Sequence, residues 1–132
     1  MNPETEAMRA RTKKFSLDVL RFLRTLPMTD ECRDISGQLR RSGNGVGSNY
    51  RSSCRARSRS EFISRINVTL DEADESAFWL EVIVDGDIAT NQESRRLLDE
   101  ANQLSAIFAA SSLTAIEAEK RGDPDPRGRP RR

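Results

Sequence analysis

The arginines in the first half of the sequence have the residue type and spacing best suited to chemistry. Arg33, Arg40, Arg51 and Arg55 follow one another at intervals of seven, eleven and four residues. On a helix they fall within a sector of about 60° that faces away from the apolar side chains. A guanidinium forms paired hydrogen bonds with phosphate or carboxylate oxygens. We predict that this arginine stripe (Arg33, Arg40, Arg51, Arg55) binds nucleic acid, with Arg41, Arg57 and Arg59 beside it.

Two kinds of partner fit the arginine stripe. The first is the phosphate backbone of RNA or DNA, in which case binding should fall steeply with added salt. The second is a neighbouring subunit, because residues 1–65 carry fourteen basic and seven acidic side chains, whereas residues 66–120 carry three and twelve. The first is our leading hypothesis, and a scaffold whose charges serve oligomer assembly is the alternative. Tyr50 is the only tyrosine, so stacking of single-stranded bases is not expected.

Catalytic chemistry finds little support in the sequence. The chain has no histidine, which removes the commonest general base and a common metal ligand. Cys32 and Cys54 therefore have no histidine partner, and their spacing on one helix, roughly 33 Å, is too long for a disulfide. The glycines of residues 43–47 are not followed by the Lys-Ser/Thr of a phosphate-binding loop. We expect no enzymatic activity and no cofactor.

A run of four carboxylates in residues 71–75 is the one candidate for a metal site. Di-metal bundles use glutamates and Glu-x-x-His pairs that point inward from several helices. Here the inward positions belong to apolar residues such as Leu70, Ala73 and Ala77, so the acids flank the core or face outward. We therefore predict a solvated face, or one that pairs with arginines, and no metal.

Four amphipathic segments must position these residues, each with apolar side chains at steps of three and four. The first spans residues 4–26 and ends before Pro27, because proline disfavours helical geometry in the preceding residue. The second begins with Thr29 as its N-cap. The last two open with capping-box patterns, Ser58 with Glu61 and Thr90 with Glu93.

Three glycines, Gly43, Gly45 and Gly47, lie close together inside the second helix. Each costs about 1 kcal/mol relative to alanine inside a helix, so the set needs a physical reason. Close approach of a neighbouring helix or subunit is one reason, and a kink or a break into two helices is the other.

The third helix has two apolar faces. Its seam is predicted to be Ile63, Ile66, Leu70, Ala73, Ala77, Leu80 and Val84, while Val68, Phe78, Trp79, Val82 and Ile83 lie off it. A second apolar face calls for a second partner, either within the bundle or in another subunit. The predicted oligomer interface comprises Gly43, Gly47, Phe78, Trp79 and Val82.

These segments predict an all-α protein, an antiparallel up-down-up-down four-helix bundle formed by residues 1–120. Gly122 should end the last helix, and residues 121–132 should form a disordered, basic, proline-rich tail. No apolar run is long enough to span a bilayer, and the first residues lack the apolar core of a signal peptide. We therefore expect a cytoplasmic protein with no membrane contact.

The sequence of the second and third helices resembles a known family. It combines Gln-Leu-Arg-Arg at residues 38–41, a small-residue stretch at 43–49, a basic linker at 55–59, Glu61-Phe62 and an acidic stretch at 71–75. This combination is similar to the four-helix-bundle proteins of intervening sequences in bacterial 23S ribosomal RNA genes. Arg51 and Ser52 depart from the commonest form, which has a small residue and an acid there.

The resemblance implies an architecture more than a function. Members of the family are four-helix bundles that tend to form rings of five, so a homo-pentamer is expected. A similar bundle is the accessory subunit of diversity-generating retroelements, where it binds reverse transcriptase and nucleic acid through a basic surface. The resemblance therefore suggests three partners: copies of the chain itself, RNA or DNA, and a reverse transcriptase or other protein.

Overall fold

The computed structural model describes residues 2–128, which form four α-helices and no β-strand. Each helix packs against the next along the chain, and α1 also contacts α4, which closes the bundle. The all-α four-helix bundle is therefore confirmed. The helices are α1 (Pro3–Leu23), α2 (Asp30–Cys54), α3 (Arg59–Asp85) and α4 (Gln92–Arg121).

The helix ends follow local capping chemistry. Thr29 and Ser58 cap α2 and α3 as predicted, each accepting a hydrogen bond from a backbone N–H three residues on. The prediction of Thr90 as the cap of α4 is wrong. Asn91 takes that role with a 2.9 Å bond from Ser94 N, in keeping with the stronger capping preference of asparagine. Gly122 ends α4 in the left-handed conformation, as predicted.

The core is a continuous apolar cluster with contributions from all four helices. The predicted seam of α3 is wrong at its end, because Ile83 is fully buried whereas Val84 is only partly buried. Ile83 packs into the core cluster formed by all four helices, whereas Val84 does not belong to that cluster. The largest fully buried side chains are Phe15, Phe108, Leu39, Ile66, Leu80, Ile83, Leu97 and Leu104.

Helix α2 runs unbroken through Gly43, Gly45 and Gly47. A Cβ on Gly43 would lie 2.9 Å from Val19 Cγ1, and one on Gly47 would lie 2.6 Å from Ser16 Oγ. Gly43 and Gly47 were predicted to form an oligomer interface. That assignment is corrected, because both glycines are used inside the chain to bring α1 against α2.

The end of the chain folds back onto α3. The predicted tail begins too early, since α4 includes Arg121 and residues 123–128 contact the start of α3. Arg59 N donates to Asp125 Oδ2 (2.6 Å), and the Arg59 guanidinium donates to the carbonyl oxygen of Asp123 (2.9 Å). The expected disorder is therefore not found up to residue 128, and residues 129–132 lie outside the described part.

Candidate nucleic-acid interface

The arginine stripe lies on one exposed face of α2. Arg33, Arg40 and Arg51 are exposed within the helix, and Arg55 is exposed as its C-cap. By helical spacing, Gly37, Asn44 and Ser48 occupy the positions between them. Asp30 lies on the same side at the start of the helix, but from Gly37 to Arg55 the row contains no acidic residue, so this part of the face is cationic.

The predicted arginines differ in the partners they already have. Within residues 2–128, Arg40, Arg51 and Arg55 take part in no ion pair. Arg33 pairs with Asp30 at 3.2 Å, but both side chains are exposed, and such pairs contribute little. Arg41 pairs with Glu75 of α3. Arg57 pairs with Glu61 at 3.6 Å and remains highly exposed.

Arg59 does not belong to the exposed surface. The residue is only 7% exposed, and its guanidinium donates to two backbone carbonyls of the tail. Its assignment as a nucleic-acid-binding residue is therefore corrected. A buried guanidinium needs hydrogen-bond acceptors, and the tail of this chain already supplies them.

Helix α1 adds three cations that the sequence pattern did not reveal. Arg9 and Lys13 lie beside Arg51 in a groove of about 340 Å³ between α1 and α2. Arg24 lies near Arg33 and Arg40 in a second groove of about 510 Å³, next to the turn that joins the two helices. In the sequence, these three cations share one face of α1 by helical spacing. Only the packing of α1 against α2 shows that this face lies beside the arginine stripe.

The closeness of α1 and α2 allows cations from two helices to share one groove. Ser16 Oγ donates to the backbone oxygen of Gly43 at 2.7 Å. Gly47 lines the same groove as Arg9, Lys13 and Arg51, and its missing side chain leaves the floor open. The glycines therefore help to shape the cationic face as well as the core.

The opposite electrostatic character is found on α3. Asp71, Asp74 and Glu81 are exposed there. Burial, followed by repulsion from Glu75, raises the pKa of Glu72 above its ordinary value, and Glu72 Oε2 has no hydrogen-bond partner. Gly45 faces the Glu72 carboxylate, so a side chain at this position would displace that flexible group.

The rest of the predicted oligomer interface lies on α3. Phe78 is 53% exposed, and Val82 and Trp79 are half-buried. The Phe78 and Trp79 rings meet edge to face with centroids 4.9 Å apart. Val68, at 45% exposure, extends this apolar strip along the outer face of the helix. The second apolar face of α3 is thus largely left open by the bundle itself.

Residues 2–128 contain no candidate metal cluster, no disulfide and no helix suited to spanning a membrane. No group of three or more carboxylate or cysteine side chains in this part of the chain is arranged to hold a metal ion. Cys32 and Cys54 are free thiols, as their spacing predicted. None of the four described helices is long and apolar enough to cross a membrane.

Fold and surface together define the class: a four-helix bundle with a cationic α1–α2 face and an acidic α3. The chain belongs to the family of 23S rRNA-intervening sequence proteins, which it matches over residues 6–110. The family resemblance seen in the second and third helices is therefore confirmed.

A solved structure has the same fold. It is a crystal structure of a protein with unknown function from the S23 ribosomal protein family of Bacteroides thetaiotaomicron, with a TM-score of 0.73 and 23% sequence identity. The similarity covers 80% of this chain and 97% of that chain. At this identity the likeness shows the fold alone. No curated protein matches the chain.

Proposed function

We propose that this protein is a non-enzymatic, cytoplasmic bundle that binds the phosphate backbone of RNA or DNA. The observation that carries the proposal is the exposed, unpaired state of Arg40, Arg51 and Arg55 within residues 37–55, a part of α2 and its C-cap that contains no acidic residue. Elsewhere the bundle does pair its arginines across helices, as Arg11 does with Glu100 and Arg96 with Asp18. A row of unpaired cations repels itself, and a polyanion would relieve that repulsion.

Recognition of the backbone fits the surface better than recognition of bases. Specific single-strand binding uses exposed aromatic rings on which bases stack. Tyr50 is half-buried and stacks on the buried Phe108, with ring centroids 5.7 Å apart. Phe78 and Trp79 are on α3, away from the arginine stripe. The expected binding therefore depends weakly on sequence and strongly on salt.

Charge reversal on the arginine stripe tests this function. The R40E/R51E/R55E variant should lose about two orders of magnitude in affinity for a labelled oligonucleotide at low salt, since three phosphate contacts become repulsive. Fluorescence anisotropy gives the affinity. The matched control is R21E/R95E/K120E, which changes the net charge equally at exposed positions outside the α1–α2 grooves. Equal losses in both variants would mean that net charge alone governs binding, and would contradict the proposal.

A scaffold function is the second candidate, and the outer face of α3 favours it. Val68 and Phe78 are large exposed apolar side chains, and Asp71 and Glu75 lie on the same side of the helix by their spacing. This strip is complementary in charge to the arginine stripe, so one copy of the chain could dock on another. The homo-pentamer suggested by the family resemblance, and a reverse transcriptase as a further partner, belong to this candidate.

Oligomer mass separates the two candidates. In a scaffold held together by charge, R40E/R51E/R55E should dissociate the assembly, and F78D should do so as well. In a nucleic-acid-binding protein, the first variant keeps its mass and loses only the ligand. Light scattering measures the mass, and a stable species of 14.9 kDa across micromolar concentrations would contradict the oligomer.

A further inference from the structure

The face formed by α1 and α2 carries two separate cationic clusters, each around its own groove. The first, here called the N-terminal cluster, consists of Arg9, Lys13 and Arg51 around the groove of about 340 Å³. Each helix contributes to it. No ion pair engages these three side chains within the described residues.

The second cluster lies at the other end of the same face. This turn cluster consists of Arg24, Arg33 and Arg40 around the groove of about 510 Å³ beside the α1–α2 turn. Only Arg33 has an acidic partner, the exposed Asp30. Met28, at 83% exposure, lies at the edge of this groove.

On the α1–α2 face, the two clusters are separated by a stretch without charged side chains. Along α2, Arg51 is about 22 Å from the midpoint between Arg33 and Arg40, at 1.5 Å per residue. Along α1, the distance from Arg9 and Lys13 to Arg24 is about 20 Å on the same basis. Ser16, Leu17 and Leu20 fill the α1 side of the interval.

We infer that this face binds a nucleic-acid duplex, with the N-terminal cluster on one phosphate backbone and the turn cluster on the other. The inference rests on the proposed function and names the form of the nucleic acid. In B-form DNA the two phosphate backbones border a major groove about 12 Å wide. Two cationic clusters with centres about 20 Å apart can each reach one of these backbones, because arginine and lysine side chains are long, and the neutral interval lies over the groove.

A single strand fits the same face poorly. Its phosphates follow one another closely, so a matching protein surface has a continuous cationic track and aromatic rings for the bases. Here the cations are interrupted, and the described aromatic side chains are buried or lie outside the α1–α2 grooves. The interval between the clusters would lie over the duplex groove and contribute no sequence readout.

The test is a pair of double charge reversals that each remove one cluster. R9E/K13E acts on the N-terminal cluster and R24E/R40E on the turn cluster. Each should weaken binding to a 20-base-pair duplex at least tenfold and make the slope of log affinity against log salt shallower by about two units. The control is R21E/R95E, and thermal unfolding followed by circular dichroism confirms that every variant folds.

Hydroxyl-radical footprinting gives a second readout. Wild-type protein should protect both strands of the duplex, whereas each cluster variant should lose protection on one strand. The wild type should also bind the corresponding single strand at least tenfold more weakly.

The outcomes separate this inference from the function on which it rests. If the wild type binds neither single nor double strands, the proposed function falls. If R40E/R51E/R55E abolishes binding but R9E/K13E does not weaken it, α2 alone holds the ligand and the two-cluster inference is wrong. Equal affinity for the single strand would also overturn it.

Discussion

At the scale of single residues, Arg59 shows how burial changes the role of a charged side chain. Its sequence position, in a basic linker, is typical of a nucleic-acid contact. The fold instead places it under residues 123–125, where its guanidinium and its backbone N–H hold the returning tail. It therefore serves the structure rather than the cationic surface.

Replacement of Arg59 should lower the stability of the folded protein. R59A removes the donors for the carbonyl oxygens of Asp123 and Pro124, so we expect a loss of about 1–3 kcal/mol in the free energy of unfolding. R57A, two residues away and exposed, should change it by less than about 0.5 kcal/mol. Urea denaturation measures both. Equal stability of R59A and wild type would mean that the tail contributes nothing to the fold.

Glu72 makes the stability of the bundle depend on pH. Burial and the neighbouring Glu75 raise its pKa in the folded chain above the ordinary value of 4.5. The native state therefore binds this proton more tightly than the unfolded chain does. Ionised Glu72 destabilises the fold above its native pKa, and the penalty is absent below the unfolded value.

The E72Q variant tests the direction of this pH dependence. It should be more stable than wild type at pH 7, and the advantage should shrink as the pH falls towards 4.5 and below. D74N, which alters an exposed carboxylate of the same helix, is the matched control. Thermal unfolding across the pH range provides the measurement, and lower stability of E72Q at pH 7 contradicts the account.

At the scale of elements, the approach of α1 to α2 depends on the absence of side chains. Gly43 faces Val19, whereas Gly37 has open space where a Cβ would lie. G43A should therefore destabilise the protein by about 1–3 kcal/mol through overpacking. G37A should stabilise it by up to about 1 kcal/mol through helix propensity.

The two variants form a matched pair, because both change glycine to alanine inside the same helix. Chemical denaturation gives the two free energies of unfolding. If G43A is stabilised as much as G37A, α1 and α2 do not lie as close as the structure shows.

The ends of the helices were predictable where contacts between neighbouring residues determine them. Thr29, Ser58 and Gly122 act through neighbouring residues, so their capping roles could be predicted from the sequence. The burial of Ile83 at the end of α3 could not, since it depends on how α2 and α4 pack against that helix. The tail contacts of Arg59 also could not, because they join residues more than sixty positions apart.

The candidate site was likewise predictable from the sequence only in part. Arg40, Arg51 and Arg55 are exposed on one face of α2, as their helical spacing predicted. Arg9, Lys13 and Arg24 come from another helix, and only the packing of α1 on α2 brings them to that face. Long-range packing thus decides which cations share a groove.

At the scale of the whole molecule, charge is distributed unevenly around the bundle. The α1–α2 face is cationic, and the exposed carboxylates of α3 make that helix acidic, although the full chain has a net charge of only +1. Such a molecule should approach a polyanion in a preferred orientation, with the α1–α2 face leading. Self-assembly through charged faces would use the same asymmetry. The salt dependence of binding to a defined nucleic acid therefore distinguishes nucleic-acid binding from self-assembly.

The most direct measurement is the affinity of the wild type for a nucleic-acid duplex across a range of salt concentrations. If the seven cations of the α1–α2 face contact phosphates, log affinity should fall linearly with log salt, with a slope of about −6. These cations are Arg9, Lys13, Arg24, Arg33, Arg40, Arg51 and Arg55. In R40E/R51E/R55E the slope should be shallower by about three units. A salt-independent affinity, or an unchanged slope in that variant, would contradict the assignment of this face to phosphate binding.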